Sequence, residues 1–334
     1  MTETDDVAVS LAQPGGRAAA ATAHRTHDEH VPIPPPPLHL TVVTDAATLP
    51  RHEGLSYEPK LDGWRVCIHV PGQMLHSRRG SDLTSRFPHI LTAARGLGSV
   101  VLDGELVALG ATGRLHFEAL YYGPRRRTAE HIQLTYVAFD LLAYRGRDLR
   151  TQPYQHRRSR LQDLLARHGS GPVQLSAATD DVDRAEQWIS AEQAEAGIEG
   201  VIAKPVTSRY PLRGNCGWVK VKYRNDIDAL VLGVLGSIDA PTALLLQKIE
   251  QDGRLGPVGL SNVLSHAALG TLAGRLRPLP GTRRAPGRLG GVLGGADFDY
   301  IPVRPGVVVE ARTDGAQEWG HFRHRVTVLR ARME

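Results

Sequence analysis

The chain has 334 residues, 41% of them hydrophobic, and a formal charge of +5, which is room for about two domains of ~150 residues, each with its own core. The modest positive balance suits a polyanionic partner without identifying one. Two distant cysteines, Cys67 and Cys216, exclude a disulfide framework and a zinc cluster, and no run approaches the ~20 apolar residues of a membrane span.

In chain order, residues 1–34 are rich in Ala, Gly and Thr, begin acidic and lack periodicity, as expected of a disordered tail. Pro32 and Pro34 to Pro37 give a stiff extended lead-in. Strands are predicted at Trp64–Val70, Val100–Val107, Gln133–Phe139 and Gly200–Ala203, with Cys67 facing a strand core. Helices are predicted at 155–168, where Leu161, Leu164 and Leu165 space an apolar face, and at 181–195. After Lys222 the texture changes. Ala229–Leu235, Ala243–Ile249 and 257–263 read as strands, and Ser261 as the cap of a helix running to about Leu276. A Gly/Pro/Arg-rich loop at 280–296 precedes strands at 306–312 and 325–331. This order of short strands around one helix suits a small closed barrel of the oligonucleotide-binding type. The expected class is α+β: a tail at 1–34, a domain of antiparallel sheets with flanking helices at 35–225, and the barrel at 226–334.

Only five lysines stand against 35 arginines. Four of them fall in three short segments: Tyr57-Glu58-Pro59-Lys60-Leu61-Asp62-Gly63-Trp64-Arg65, Glu199-Gly200-Val201-Ile202-Ala203-Lys204 and Trp218-Val219-Lys220-Val221-Lys222. A guanidinium never deprotonates, whereas an amine can, and then attacks an electrophile. The surviving lysines are therefore candidates for chemistry closed to arginine; the alternatives are chance placement and plain anion pairing. Lys60 follows Glu58-Pro59 and precedes an Asp-Gly pair, which places it at the mouth of a tight turn. Lys220 and Lys222 alternate along a strand and share a face, where two ammoniums suit a phosphate and would lower the pKa of a neighbouring Lys60. Glu105 and Glu199 each interrupt an apolar run, which argues against a surface role. Asp62 is equally a turn former and an electrostatic neighbour of Lys60. Arg125-Arg126-Arg127 and Arg157-Arg158 with Arg160 are either phosphate contacts or solvated faces, and Lys248 is a solvated barrel residue or a phosphate contact.

Set in order, these segments resemble the motifs of the ATP-dependent DNA ligases in the covalent nucleotidyltransferase superfamily. They are most similar to the small bacterial two-domain type, of the actinobacterial accessory ligase C group. Lys60–Arg65, Ser77–Gly80, Leu102–Glu105, Tyr136–Asp140, Glu199–Lys204 and Trp218–Lys222 match successive motifs, and Phe322-Arg323-His324-Arg325 with Arg330 match the last. The likeness spans roughly residues 35–333. Arg325 stands where the family usually has proline, and Arg79 where asparagine is common.

The resemblance implies an adenylation (nucleotidyltransferase) domain followed by an oligonucleotide-binding barrel. It implies an enzyme that seals nicked double-stranded DNA with ATP and Mg²⁺, Mn²⁺ substituting. Lys60 would carry AMP, with Lys220 and Lys222 on the α-phosphate and Asp62 beside the nucleophile. Glu199 and Glu105 would hold the divalent ion, Glu105 contacting the ribose or a water of that ion. Phe139 would stack the adenine, Glu58 read its edge, Arg65 and Arg78 contact ribose and phosphate, and Lys204 close the pocket near the phosphates. In the barrel, Arg323 with Arg325 and Arg330 would reach the triphosphate, the barrel then turning onto DNA about a hinge near 223–228. A monomeric repair enzyme in the cytoplasm, associated with the nucleoid and not with a membrane, is expected. Two other readings share features of the chain: an RNA-joining or capping nucleotidyltransferase, and a catalytically inactive nucleic-acid-binding protein. Intact Lys60, Glu199, Lys220 and Lys222 argue against the second.

Overall fold

The structure, a computed structural model, describes residues 35–168, 171–211, 214–290 and 295–332; the expected tail over 1–34 lies outside them. The chain divides into two compact units between Lys222 and Tyr223. No helix among the described residues is long and apolar enough to cross a membrane.

The first unit is built on two sheets. In one, Met74–Ser77, Trp64–His69, Val100–Leu109 and Gln133–Tyr144 lie side by side and antiparallel, with Arg147–Asp148 beyond them and Val173–Leu175 added in parallel. Val100–Leu109 and Gln133–Tyr144 are buried along almost their whole length, so they read as continuous apolar runs rather than as alternation. The other sheet runs Val42–Asp45, Asn215–Lys222, Ile198–Pro205, Leu55–Leu61, with its first two strands parallel and the rest antiparallel. Cys67 is fully buried, as expected of its strand position.

The helix Tyr154–Ala166 buries Leu161, Leu164 and Leu165, the predicted face. It also buries Arg157 completely, which is neither a solvated residue nor a phosphate contact. Its guanidinium donates to both oxygens of the equally buried Asp140, at 2.8 and 2.7 Å, and to the carbonyls of Gln152 and Ser208 at 2.6 and 3.1 Å. Arg158 is also turned inward, donating to the Ser176 carbonyl. In the other arginine run, Arg127 is buried on the Tyr122 carbonyl while Arg126 is exposed and paired with Glu130. The predicted helix over 181–195 is two short ones, Val182–Gln187 and Ala191–Glu195. Asp181 caps the first, and Ser190 accepts the Gln193 amide to start the second afresh.

In the second unit, Asn225–Gly236 pairs with Pro241–Ile249 on one side and Val308–Thr313 on the other; Leu255–Leu260 and Thr327–Ala331 lie beyond them. The Val326 amide donates to Leu260 and the Asn262 amide to Val326, which joins the last two and closes the barrel. The helix is shorter than predicted, His266–Leu272, and its cap is Ser265 rather than Ser261. Ser261 is instead buried, its hydroxyl accepting the Leu244 amide at 2.9 Å, because the third strand continues into the closing contacts before the chain can turn helical. The 280–296 loop holds a short strand, Arg283–Ala285, and a 3₁₀ turn, Gly287–Gly290, with residues 291–294 outside the description. Lys248 pairs with Glu250 at 2.6 Å.

Because Arg157 and Asp140 are both buried, removing one strands the other's charge. Arg157→Met should destabilise the first unit by about 3–5 kcal/mol, read as a lowered urea midpoint, and Arg157→Met/Asp140→Leu should recover much of that loss. A single variant as stable as the parent would show that the pair anchors nothing.

Candidate active site

Lys60 stands at the mouth of the bend over Asp62–Gly63, as the sequence predicts, and is carried by a strand. It is the penultimate residue of Leu55–Leu61, the outer strand of its sheet, where Pro59 is tolerated. Its register partner is Gly200, and Gly200 is also the partner of Lys222 on the far side. Gly200 has φ +147°, and a Cβ there would meet the Val221 carbonyl at 2.0 Å and the Lys222 Cα at 2.7 Å. Only glycine lets the three strands draw together at this point. Glu199, beside it, is buried, and its Oε2 accepts the Lys60 ammonium and lies 3.8 Å from that of Lys222. The bend at 62–63 presses on the neighbouring sheet: a Cβ on Gly63 would meet the Leu106 carbonyl at 2.5 Å and the Glu105 Cγ at 2.8 Å. That contact brings Glu105 to the lysine.

Burial is the largest influence on Lys60 and works against its charge, but Glu199, Glu105 and Asp62 together outweigh it, so the ammonium is held above the ordinary lysine range. This reverses the expectation that Lys220 and Lys222 depress it. Lys220 faces Asp45, its register partner, at 3.2 Å, so its charge is spent on that carboxylate. Glu105 is pushed up to about 8 by burial, with Lys60 and Arg65 pulling the other way.

Glu58 lies two residues before Lys60 and therefore on the same face of the strand. It is buried, accepts the Tyr154 hydroxyl and forms an ion pair with Lys204 Nζ at 2.8 Å, at an angle that is not that of a hydrogen bond. Lys204 is only 1% exposed. Its ammonium stands 4.1 Å from the Trp218 ring centre, 4.5 Å from Phe139 and 5.1 Å from Tyr154, a cation over aromatic faces. Burial lowers its pKa, with Glu58 opposing. Lys204 thus backs the Phe139 ring rather than reaching the Glu199 cluster. Arg65, 5.5 Å from the Phe139 centre, is clamped by two bonds to buried Asp103 at 2.6 and 3.0 Å and a third to the Thr41 carbonyl at 2.8 Å. Tyr210 completes that clamp, donating to Asp103 at 2.8 Å and accepting the Thr41 amide at 3.0 Å.

The structure therefore brings together Lys60, Asp62, Glu105, Glu199 and Lys222, and beside them Glu58, Phe139, Lys204 and Arg65. Arg78 stands on the exposed turn after Met74–Ser77, and Arg323 follows His321–Phe322 in the second unit, its amide on the Ala316 carbonyl. Asp103, Tyr154, Tyr210 and Trp218 were not singled out from the sequence. Asp103 interrupts the same apolar run as Glu105, so the signal that identified one carboxylate also marked the other.

No group of three or more His, Cys, Asp or Glu suited to a metal occurs among the described residues. Glu199 and Glu105 supply hard oxygen donors, a set that fits a divalent ion completing its shell with water and phosphate oxygens.

Residues 40–222 match the model of the ATP dependent DNA ligase domain. The chain is 33% identical over 303 residues to DNA ligase C2 of Mycolicibacterium smegmatis, covering 81% of this chain and 84% of that one. It is 31% identical over 326 residues to DNA ligase C of Mycobacterium tuberculosis, covering 88% and 89%. A solved structure from a study of Lig E DNA ligases matches 87% of this chain and 99% of its own with a TM-score of 0.51 at 17% identity, a likeness of fold alone.

The raised Lys60 pKa has a testable sign. With Glu199 present the amine stays protonated to higher pH than a free lysine. Glu199→Gln removes the largest raising influence and leaves burial to act, so Lys60 acylation by an amine-directed reagent, followed by peptide mass spectrometry, should begin at lower pH. An onset unchanged or moved upward would contradict the assigned pairing.

Proposed function

The chain belongs to the ATP-dependent DNA ligase family, and we propose that Lys60 is the residue through which it handles the adenylyl group. The observation that carries this reading is the pairing of Lys60 and Lys222 across Gly200 with Glu199 between their amines. A nucleophilic amine, a second cation and a carboxylate within reach of both are the parts that adenylyl transfer to a lysine requires.

In the first step Lys60 Nζ attacks the α-phosphorus of ATP. A P–N bond forms, the bond to the bridging α–β oxygen breaks, and pyrophosphate leaves. The amine must first give up a proton, and Glu199 is the acceptor already in contact with it. Lys222, and Lys220 once drawn from Asp45, neutralise the α-phosphate as charge builds. Phe139 stacks the adenine over the Lys204 cation and Glu58 reads its edge. Arg65, held in one orientation by Asp103, meets the ribose, and Arg78 and Arg323 contact phosphate oxygens. Asp62 steadies the ammonium before attack. AMP then passes from Lys60 to the 5′-phosphate at a nick, and the 3′-hydroxyl attacks that phosphate, releasing AMP and closing the strand. A bound divalent ion, Mg²⁺ with Mn²⁺ as substitute, supplies Lewis-acid neutralisation of the phosphates, and Glu199 and Glu105 are the residues that would hold it. The intended substrate is nicked duplex DNA, met by a monomeric repair enzyme of the cytoplasm.

Incubation with α-labelled ATP or GTP tests the reading. The parent should take label from ATP and pass it to nicked DNA in preference to nicked RNA, and Lys60→Ala should take none. Lys222→Ala should slow adduct formation by about a hundredfold. Labelling of Lys60→Ala would show that another residue is the nucleophile.

A further inference from the structure

In the second unit, Gln317–Glu318 and His321–Phe322 form a hairpin that turns through Trp319 and Gly320. Both turn residues have positive φ, +46° and +75°, the pattern of a two-residue type I′ turn, which Asn-Gly fills most readily. A bulky side chain occupies that region only under strain. The strain does not serve burial, because Trp319 is 47% exposed and is the one aromatic among the exposed large hydrophobics of the described residues.

Exposed arginines lie close to this hairpin. The 3₁₀ turn Gly287–Gly290 packs against the hairpin, and its exposed Arg288 acts electrostatically on His321. Arg325, also exposed, donates to the Gly290 carbonyl at 3.0 Å, leaving its charge uncompensated. Neither Arg288 nor Arg325 has a carboxylate partner among the described residues. Of the nearby acids, Glu318 is buried and Asp314 Oδ2 lies 2.8 Å from His324 Nδ1.

We propose that Trp319 is a stacking platform for an unpaired nucleobase of the DNA substrate, with Arg288 and Arg325 neutralising the adjoining phosphates. An aromatic face with flanking cations is how proteins hold single-stranded nucleic acid. Bases inside a duplex are already stacked on both sides, so the ring selects overhanging or frayed ends rather than an intact nick. The proposal rests on the ligase reading only in taking DNA as the polymer.

Full-length Trp319→Asn is the test, since Asn-Gly favours the turn and should leave the melting temperature at or above the parent's. Two duplexes serve as probes, one with a short 2-aminopurine-labelled overhang and one fully paired around a nick. The variant should bind the overhang duplex about tenfold more weakly and lose the quenching of 2-aminopurine, while binding the nicked duplex as the parent does; Trp319→Phe should keep most of both signals. Equal loss on the two duplexes, or no loss on either, would overturn the proposal, the second outcome leaving the ring to a protein partner. Lys60-dependent labelling by ATP in the same preparations reports on the ligase reading separately.

Discussion

Three strands close on one another at Gly200, and the chemistry of the first unit depends on that approach. A side chain at this position would collide with the backbone of the Lys222 strand. The strands would part, and Lys60 and Lys222 would lose the carboxylate they share. The pocket is therefore set by backbone proximity before any charge is considered. The charges then hold one another: Glu199 keeps Lys60 protonated, and burial keeps Glu105 largely protonated at neutral pH. Such a cluster is poised to change when phosphates arrive, because added negative charge competes with Glu199 for the same two amines.

Beneath the site lies a layer of buried polar groups that touch one another more than solvent. Asp103 with Arg65 and Tyr210, Glu58 with Lys204 and Tyr154, and Asp140 with Arg157 each place charge in the interior. Burial of this kind is costly unless every group is met, and the return is a fixed orientation for the side chains above. Phe139 is held at its edge by Trp218, with Lys204 and Arg65 close to the ring. In this chain, rarity of lysine marks two different duties: one lysine is the proposed nucleophile, and another is entombed among aromatic rings to steady the residues around it.

The family, the strands of the apolar runs and the helix over Leu161 to Leu165 were legible in the sequence because local periodicity and motif order survive without knowledge of contacts. Interruption of apolar runs located Glu105 and Glu199. What stayed hidden was fixed by tertiary pairing. The bend after Lys60 was legible in Asp62-Gly63, but the outer strand that carries the lysine was not, since Pro59 disguises it. The direction of its pKa shift depends on Glu199, 139 residues away in sequence. Arg157 looked like surface in a run of arginines, yet its partner is a strand carboxylate that no helical spacing reveals. Ser261 carried the composition of a cap but is consumed by barrel closure, a contact with residue 326.

Pro59 has a further consequence. The Tyr57 amide points away from the sheet, donating to the Thr179 carbonyl, and a position two residues on has the same sense along a strand. Pro59 has thus given up no ladder hydrogen bond; it has removed the next outward donor. An open strand edge invites another chain to pair with it, and the edge of this one runs directly past the Lys60 amine. The proline takes one donor from that edge and so blunts it as a template for intermolecular pairing; the residue that obscures the strand in the sequence thereby shields the segment that carries Lys60.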